Sequence, residues 1–459
     1  MTDPREGACG GDHRRDDRPE QGRSAGDKTH LDEGDSDGAL ASTPLLPRVR
    51  LYQTLRSAHL ERAHELEAAT IVYQNKRYDF EDPLTVGLDI RRLGPLAGAW
   101  QLLRSPVTTL EINEPLMLSS LKTSALALTA LWLRHIVGRT RTAVVTYAIA
   151  NSDPFAEGRD PLVGDGLRKR ANRMLARRIW QRVDRAAFGT SAARETYETV
   201  LGTVGLRSSA LLFPALPAPF RRLGEERPGD AAAASDTGGG TNAAASGSGS
   251  DGNDGGADSP GSGCSTHGVS RPRNPNRVIF VGNFTDRKGV RQLLAAWPAV
   301  RAAQPAAELV MVGKGRLESE VVAAAASGTG IHVDLDPERR EIHDLLDTAA
   351  VLVLPSQPSR TWREQVGLPI VEGLSHGLTI VTTEQTGLAE WLGENGHFVV
   401  HDPASTAELS AAVLSALTAG RPPGAVLASL PARDGRLAAD DWLFSQTLTI
   451  SDLARAFDG

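Results

Sequence analysis

From Arg277 onward, short apolar runs alternate with longer segments of helical periodicity. Arg277-Val-Ile-Phe-Val-Gly282, Leu309-Val-Met-Val-Gly313, Ile331–Leu335, Val351-Leu-Val-Leu-Pro-Ser356, Leu378-Thr-Ile-Val-Thr382 and Phe398-Val-Val400 read as strands. Nearly continuous apolarity means that both faces of each strand are covered, the condition of a parallel sheet between two helix layers. Helical stretches fall where such a sheet needs them, at Val290–Ala303, Leu317–Ala326 and Arg339–Thr348. The alternation predicts a doubly wound α/β domain.

The first half carries the same signal less cleanly. Ala69-Thr-Ile-Val-Tyr73, Val107–Ile112, Thr142-Ala-Val-Val-Thr146 and Arg185-Ala-Ala-Phe188 read as strands, and Leu116–Val137 reads as helix. The most apolar stretch, Ser124–Leu133, is interrupted by Arg134 after ten residues, whereas a membrane span needs roughly 20. A buried helix is expected there.

Two segments break the pattern. Residues 1–45 are dominated by Asp, Gly, Arg, Glu and Ser, and residues 225–275 by Gly, Ala, Ser and Asp. Neither has the aliphatic side chains that would offset the entropy of ordering a backbone. A disordered tail and a flexible linker follow, leaving a first α/β block at 46–224 and a second block at 276–459. A chain of 459 residues has room for both cores. The only cysteines, Cys9 and Cys264, fall in these two segments, so neither a disulfide nor a metal site is predicted. A net charge of −6 offers no electrostatic case for a nucleic-acid partner. Met1–Asp17 lacks the apolar core of a signal peptide, and a cytoplasmic location is expected.

In a parallel sheet, ligands sit beyond the carboxyl ends of the strands, so the loops there carry the chemistry. The first, Gly282-Asn-Phe-Thr-Asp-Arg-Lys-Gly289, sets Lys288 just before a helix, either an ammonium suited to a phosphate or simply a solvated loop lysine. The second, Gly313-Lys-Gly315, allows close approach of a ligand or simply a tight turn. The third, Trp362-Arg-Glu-Gln-Val-Gly-Leu-Pro-Ile-Val-Glu-Gly-Leu-Ser-His-Gly377, opens a helix at Pro369 and stops it at Gly377. Its Gly367 and Leu368 amides then form a helix N-terminus, which favours a diphosphate. Glu364 and Glu372 flank that turn and can face one crevice, with plain surface charges as the alternative for a bare pair at this spacing.

Taken together, these loops resemble the nucleotide-sugar domain of GT-B glycosyltransferases of the retaining family 4 type (glycosyl transferases group 1). Glu364 and Glu372 match its Glu-x7-Glu motif and Gly282–Gly289 its Gly-x5-Lys-Gly loop, over most of residues 276–420. The resemblance implies two Rossmann-like domains, with Glu364 against the donor sugar's hydroxyls, Glu372 against the ribose and Lys288 on the pyrophosphate. It adds Gly282, Asn283, Arg287, Gly313, Gln365, Val366, Gly367 and Leu368 to the donor site. The family's usual arginine is replaced by Asn283, which shifts charge neutralisation to Lys288, the helix amides and Arg287. The implied reaction moves a sugar from a nucleoside diphosphate to a glycan or lipid-linked acceptor, with no cofactor or metal.

On the acceptor side the family's histidine is missing from Thr146-Tyr-Ala-Ile-Ala-Asn151. Tyr147, Asn151 and Glu114 are the candidates there, with structural roles as their alternative. Arg168–Arg185 holds eight basic residues against Asp184, beside a stripe of Leu167, Ala171, Leu175 and Ile179. It reads as a half-buried helix with a solvated basic face, or as a contact with the inner face of an anionic membrane. The final helix, around Ile450–Phe457, is expected to pack back on the first block. The competing functional readings are a nucleotide-sugar-binding protein without turnover and a GT-B-like epimerase.

Overall fold

The computed structural model describes residues 43–77, 80–138, 141–156, 163–203, 209–220, 272–359 and 362–445. The expected tail and linker, apart from residues 43–45 and 272–275, and the helix around Ile450–Phe457 lie outside the described residues. Both sheets belong to one compact unit that begins at Pro44.

The first sheet is built in the order β1 (Arg48–Leu55), α1 (Ser57–His64), β2 (Thr70–Lys76), β3 (Ile90–Arg92), α2 (Pro95–Arg104), β4 (Thr109–Glu111), α3 (Leu121–Ile136), β5 (Ala143–Ala148), α4 (Val163–Trp180), β6 (Arg185–Phe188), α5 (Ser191–Leu201) and β7 (Ser209–Leu212). Its seven strands run parallel in the order β3-β2-β1-β4-β5-β6-β7. Three of these strands, β1, β3 and β7, were not expected from the pattern. In β1 the reason is Arg50, a charged residue only 2% exposed, which breaks the apolar run of a central strand.

The second sheet follows as β8 (Arg277–Val281), α6 (Val290–Ala303), β9 (Glu308–Val312), α7 (Glu318–Ala326), β10 (Ile331–Asp334), α8 (Arg339–Thr348), β11 (Val351–Leu354), α9 (Leu368–Ser375), β12 (Thr379–Thr383), α10 (Ala389–Glu394), β13 (Phe398–Val400) and α11 (Thr406–Ala419). All six strands are parallel, ordered β10-β9-β8-β11-β12-β13. Val278, Ile279, Val351, Leu352, Val353 and Leu354 are wholly buried, as strands covered on both faces must be. The order reverses between β8 and β11, so the loops leaving these two neighbours diverge and open a crevice at their carboxyl ends.

After α12 (Pro423–Ala428) the chain returns to the first sheet through α13 (Gly435–Phe444). Trp442, Leu443 and Phe444 pack there with Val145, Ala187 and Phe213. Among the described residues, the helix that closes back on the first block is Gly435–Phe444. The outgoing strand of chain at Pro214–Leu216 runs beside this return: the Gly435 N–H donates to Leu216 at 2.9 Å, and a Cβ on Gly435 would lie 1.8 Å from the Pro214 carbonyl. Phe220, further along the outgoing segment, stacks on His376 and His343 at 4.3 and 4.8 Å.

Two expectations about the first block need correction. In Ser124–Leu133, Ala127, Ala130 and Leu131 are buried, but Trp132 and Leu133 face outward. In α4, Ile179 is buried and Leu175 half-buried, while Leu167 and Ala171 point to solvent. A stripe spaced by fours drifts about 40° per step on a helix of 3.6 residues per turn, so only its later members meet the core.

Candidate active site

Gly282 and Gly289 frame the loop after β8 with φ of 148° and 74°. At Gly289 the reason is packing as well as φ, because a Cβ would sit 1.9 Å from the Pro355 carbonyl. The loop is pressed against the end of β11, and the Gln357 N–H donates to the Arg287 carbonyl at 2.8 Å. Gly289→Ala is expected to cost about 2 kcal/mol or more, adding a left-handed alanine to a clash with fixed backbone. A denaturation midpoint equal to wild type would contradict this packing. Gly313 and Gly315 serve the neighbouring contact: their Cβ atoms would meet the carbonyls of Gly282 and Phe284 at 2.1 and 2.6 Å. Their glycines therefore let two protein loops meet. Asn283 is exposed beside them, and Lys314 pairs with Asp336 at 2.6 Å.

This packing delivers Lys288 to the loop after β11. Its Nζ lies 2.5 Å from Glu364 Oε2, with both side chains nearly buried, and Ser356 Oγ donates to the same oxygen at 3.4 Å. Glu364 is held through its backbone as well. Its N–H donates to the Gln385 carbonyl, and its own carbonyl accepts from the Gly387 N–H, both at 3.0 Å. The Asn151 side chain, reaching over from the first block, donates to that same carbonyl at 2.8 Å. Trp362 closes the outer side: the Arg287 guanidinium sits 4.7 Å from its ring and the Lys288 ammonium 5.9 Å.

Gly367, at φ 80°, caps α9, and Pro369 takes its second position. Among the described residues, the Gly367 and Leu368 N–H groups have no protein acceptor, so the positive end of the helix opens outward. Gln365 is exposed, and Val366 packs partly on the core. Glu372 lies one turn inside the helix in different surroundings from Lys288. Burial pushes its carboxyl up to about 7, with Arg339 opposing and Glu61 adding to the effect. Arg339 and Glu61 bridge the second block to α1 of the first at 2.9 Å. The structure thus brings Lys288, Arg287 and Glu364 together and sets Glu372 beside the Arg339–Glu61 bridge.

The acceptor-side candidates are all tied into the protein. Glu114 Oε2 accepts from the Ile149 and Ala150 N–H groups at 2.9 and 2.8 Å and from Tyr197 at 3.2 Å; burial nonetheless holds its carboxyl above the usual range. The Tyr147 hydroxyl donates to the Phe213 carbonyl at 3.2 Å, and Arg436 stacks on its ring at 4.3 Å. Sequence reasoning passed over Ser356, Arg339 and Glu61. Only Trp362 carried a signal, as a lone aromatic beside Glu364 in a polar loop.

One comparison with known proteins spans this stretch. Residues 275–419 match the family model described as glycosyl transferases group 1. Glycogen synthase of Mycobacterium tuberculosis is 30% identical over 188 residues, which cover 39% of this chain and 42% of the relative. The amylovoran biosynthesis glycosyltransferase AmsK of Erwinia amylovora is 27% identical over 156 residues, 32% of this chain and 37% of the relative. The matched stretch thus spans about two-fifths of the length of these curated relatives. In three dimensions the chain is similar to Anabaena HepE, solved with UDP, at a TM-score of 0.53 and 11% identity over 90% of this chain and 100% of that one. The HepE structure with UDP and glucose gives 0.51 at 12% identity over 89% and 98%. Two parallel α/β sheets in the GT-B arrangement are the fold of this protein.

Proposed function

We propose that this chain is a group 1 glycosyltransferase that moves a sugar, with retention, from a nucleoside diphosphate to a glycan or lipid-linked acceptor. The observation that carries the reading is the buried Lys288–Glu364 pair at 2.5 Å beside the open N-terminus of α9. As the anomeric C–O bond breaks, its electron pair stays on the diphosphate oxygen. Charge grows where an ammonium and two helix-end amides are already in place, which is the arrangement that lowers such a barrier. Glu364, fixed by both of its backbone groups, would accept hydrogen bonds from sugar hydroxyls, and Glu372 from the ribose. No cofactor is needed for these steps as we draw them. The reaction would take place on the cytoplasmic side, with the basic helix touching the inner face of the membrane.

A thermal-shift panel of UDP-, GDP- and ADP-sugars tests the site, with release of nucleoside diphosphate as the measure of turnover. One donor should raise the melting temperature of wild type and not of Glu372→Ala. No shift with any donor, or a shift that survives the substitution, would remove the reading. Binding without turnover is the second reading, favoured by Asn283 in place of an arginine and by the partial neutralisation of Lys288 by Glu364; absent product release in the presence of a donor shift would establish it.

Glu372 supplies a pH test. Ribose hydroxyls donate to a carboxylate, so a site poised near 7 must lose its proton to bind. Nucleotide affinity should rise about tenfold from pH 6 to pH 8, and Glu372→Gln should flatten the profile. Stability has the opposite sign. Between the ordinary 4.5 and about 7, the ligand-free fold holds a proton that the unfolded chain has released, so this group's contribution falls as pH rises through that window. Calorimetric affinities that do not change with pH would refute the assignment of Glu372 to the ribose.

A further inference from the structure

At the opposite end of the first sheet from the crevice, α3 and α4 part over the amino ends of β5 and β6. They leave a groove of about 610 Å³. Leu128, Leu131, Leu175 and Ile179 form its apolar floor, and Trp132, Arg141, Arg178 and Arg182 stand along it.

The cations there are not equivalent. Of the basic residues on and after α4, Lys169 donates to the Ala156 carbonyl, Arg173 pairs with Asp153, and Arg177 donates to the Val200 carbonyl. Arg185 is tied to the Trp442 and Ser445 carbonyls, and Arg141 to Asp184. Among the described residues, the guanidinium groups of Arg168, Arg170, Arg178 and Arg182 have no protein partner, and of these Arg178 and Arg182 stand four positions apart at the groove. Large apolar side chains are exposed next to them, Trp132 in the groove lining and Met174 one helical turn before Arg178. Trp132 is 48% exposed, Ile136, one turn further along α3, 60%, and Met174 64%. Large apolar side chains gathered on one exposed face mark a contact surface, and tryptophan beside arginine suits the boundary between headgroups and acyl chains.

We propose that this groove anchors the protein to a bilayer by taking an acyl chain of an anionic phospholipid, whose phosphate is held by Arg178 and Arg182. Charge complementarity selects the occupant: the unpaired guanidinium groups lie at the mouth of a channel with a hydrocarbon floor, which matches a lipid with a negative head and a long apolar tail. The inference rests on the membrane contact proposed above and not on transferase activity. It makes the contact a defined site where the basic helix alone would give diffuse attraction.

The full chain is tested by flotation with phosphatidylcholine vesicles, with and without phosphatidylglycerol, at low salt. Wild type should float only with the anionic vesicles, and Arg178→Glu/Arg182→Glu should lose roughly thirtyfold or more in partition, at about 1 kcal/mol for each arginine removed. Vesicles with brominated acyl chains then separate groove from surface charge. They should quench part of the wild-type tryptophan fluorescence, and Trp132→Phe should lose that part. No flotation of wild type, flotation retained by the double variant, or equal quenching in Trp132→Phe each overturns the proposal. Melting temperatures equal to wild type keep misfolding out of the comparison. Nucleoside diphosphate release measured on the same proteins reports on the crevice separately, so a chain that binds lipid but turns over no donor would retire the transferase and leave the groove.

Discussion

Lys288→Met should lower the turnover of a nucleotide-sugar donor by roughly 10²–10³-fold, about 2.7–4 kcal/mol of transition-state stabilisation. The magnitude follows from how little else in the loop carries positive charge. Asn283 stands where a second cation is expected, and Arg287 is drawn toward the Trp362 ring at 4.7 Å. Lys288 alone reaches Glu364, at 2.5 Å, and its three N–H donors let it keep that carboxylate while serving a diphosphate oxygen. The loss should fall mainly on the turnover number, because the charge that Lys288 meets grows only as the bond breaks. Glu364→Gln is the companion: it frees the ammonium but gives up the strongest acceptor for sugar hydroxyls. Steady-state rates with saturating donor decide the matter, and a Lys288→Met variant within threefold of wild type would falsify the role.

How much of this was legible depended on where charge lies buried. Every strand of the second sheet could be read, because Val278–Val281 and Val351–Leu354 have no polar residue to interrupt them and both sheet faces are covered. Its loops were equally open to reading, since Gly289 and Gly367 stand where the backbone takes φ of 74° and 80°. What sequence could not reveal is that Gly313 and Gly315 face the neighbouring loop, or that Glu372 has Arg339 and Glu61 as its charged neighbours and not Lys288. Such pairings join residues from 31 positions apart, as Gly282 and Gly313, to 311, as Glu61 and Glu372, and no local pattern records them. The first block failed at its central strand for the same reason. Arg50 in β1 makes sense only once Asp440, 390 positions later, is beside it.

That pair predicts the largest loss of stability. Arg50 donates to Glu111 Oε2 and Asp440 Oδ2, each at 2.9 Å, and also to Asp440 Oδ1. Its guanidinium lies 4.6 Å from the Phe444 ring. Arg436, from the same α13, takes the other oxygen of Glu111. Burial works against the charge on Glu111, yet Arg436 and Arg50 together hold its carboxyl below the usual range. Its stabilisation is therefore present at neutral pH and is lost as pH falls through that lowered value. Arg50→Met leaves Glu111 with one partner and Asp440 with none, in a site only 2% exposed. Breaking a buried pair from one side costs about 3–5 kcal/mol, and the loss should appear first as release of α13 from β5 and β6. Hydrogen exchange in Gly435–Phe444 would accelerate before the second sheet opens. Adding Asp440→Leu should restore much of the midpoint, since Glu111 and Arg436 then remain as a matched pair and the orphaned carboxylate is gone. Denaturation curves for the single and double variants settle it: if Arg50→Met unfolds with wild type, or if the double variant is worse than the single, the cost is one of packing and not of stranded charge.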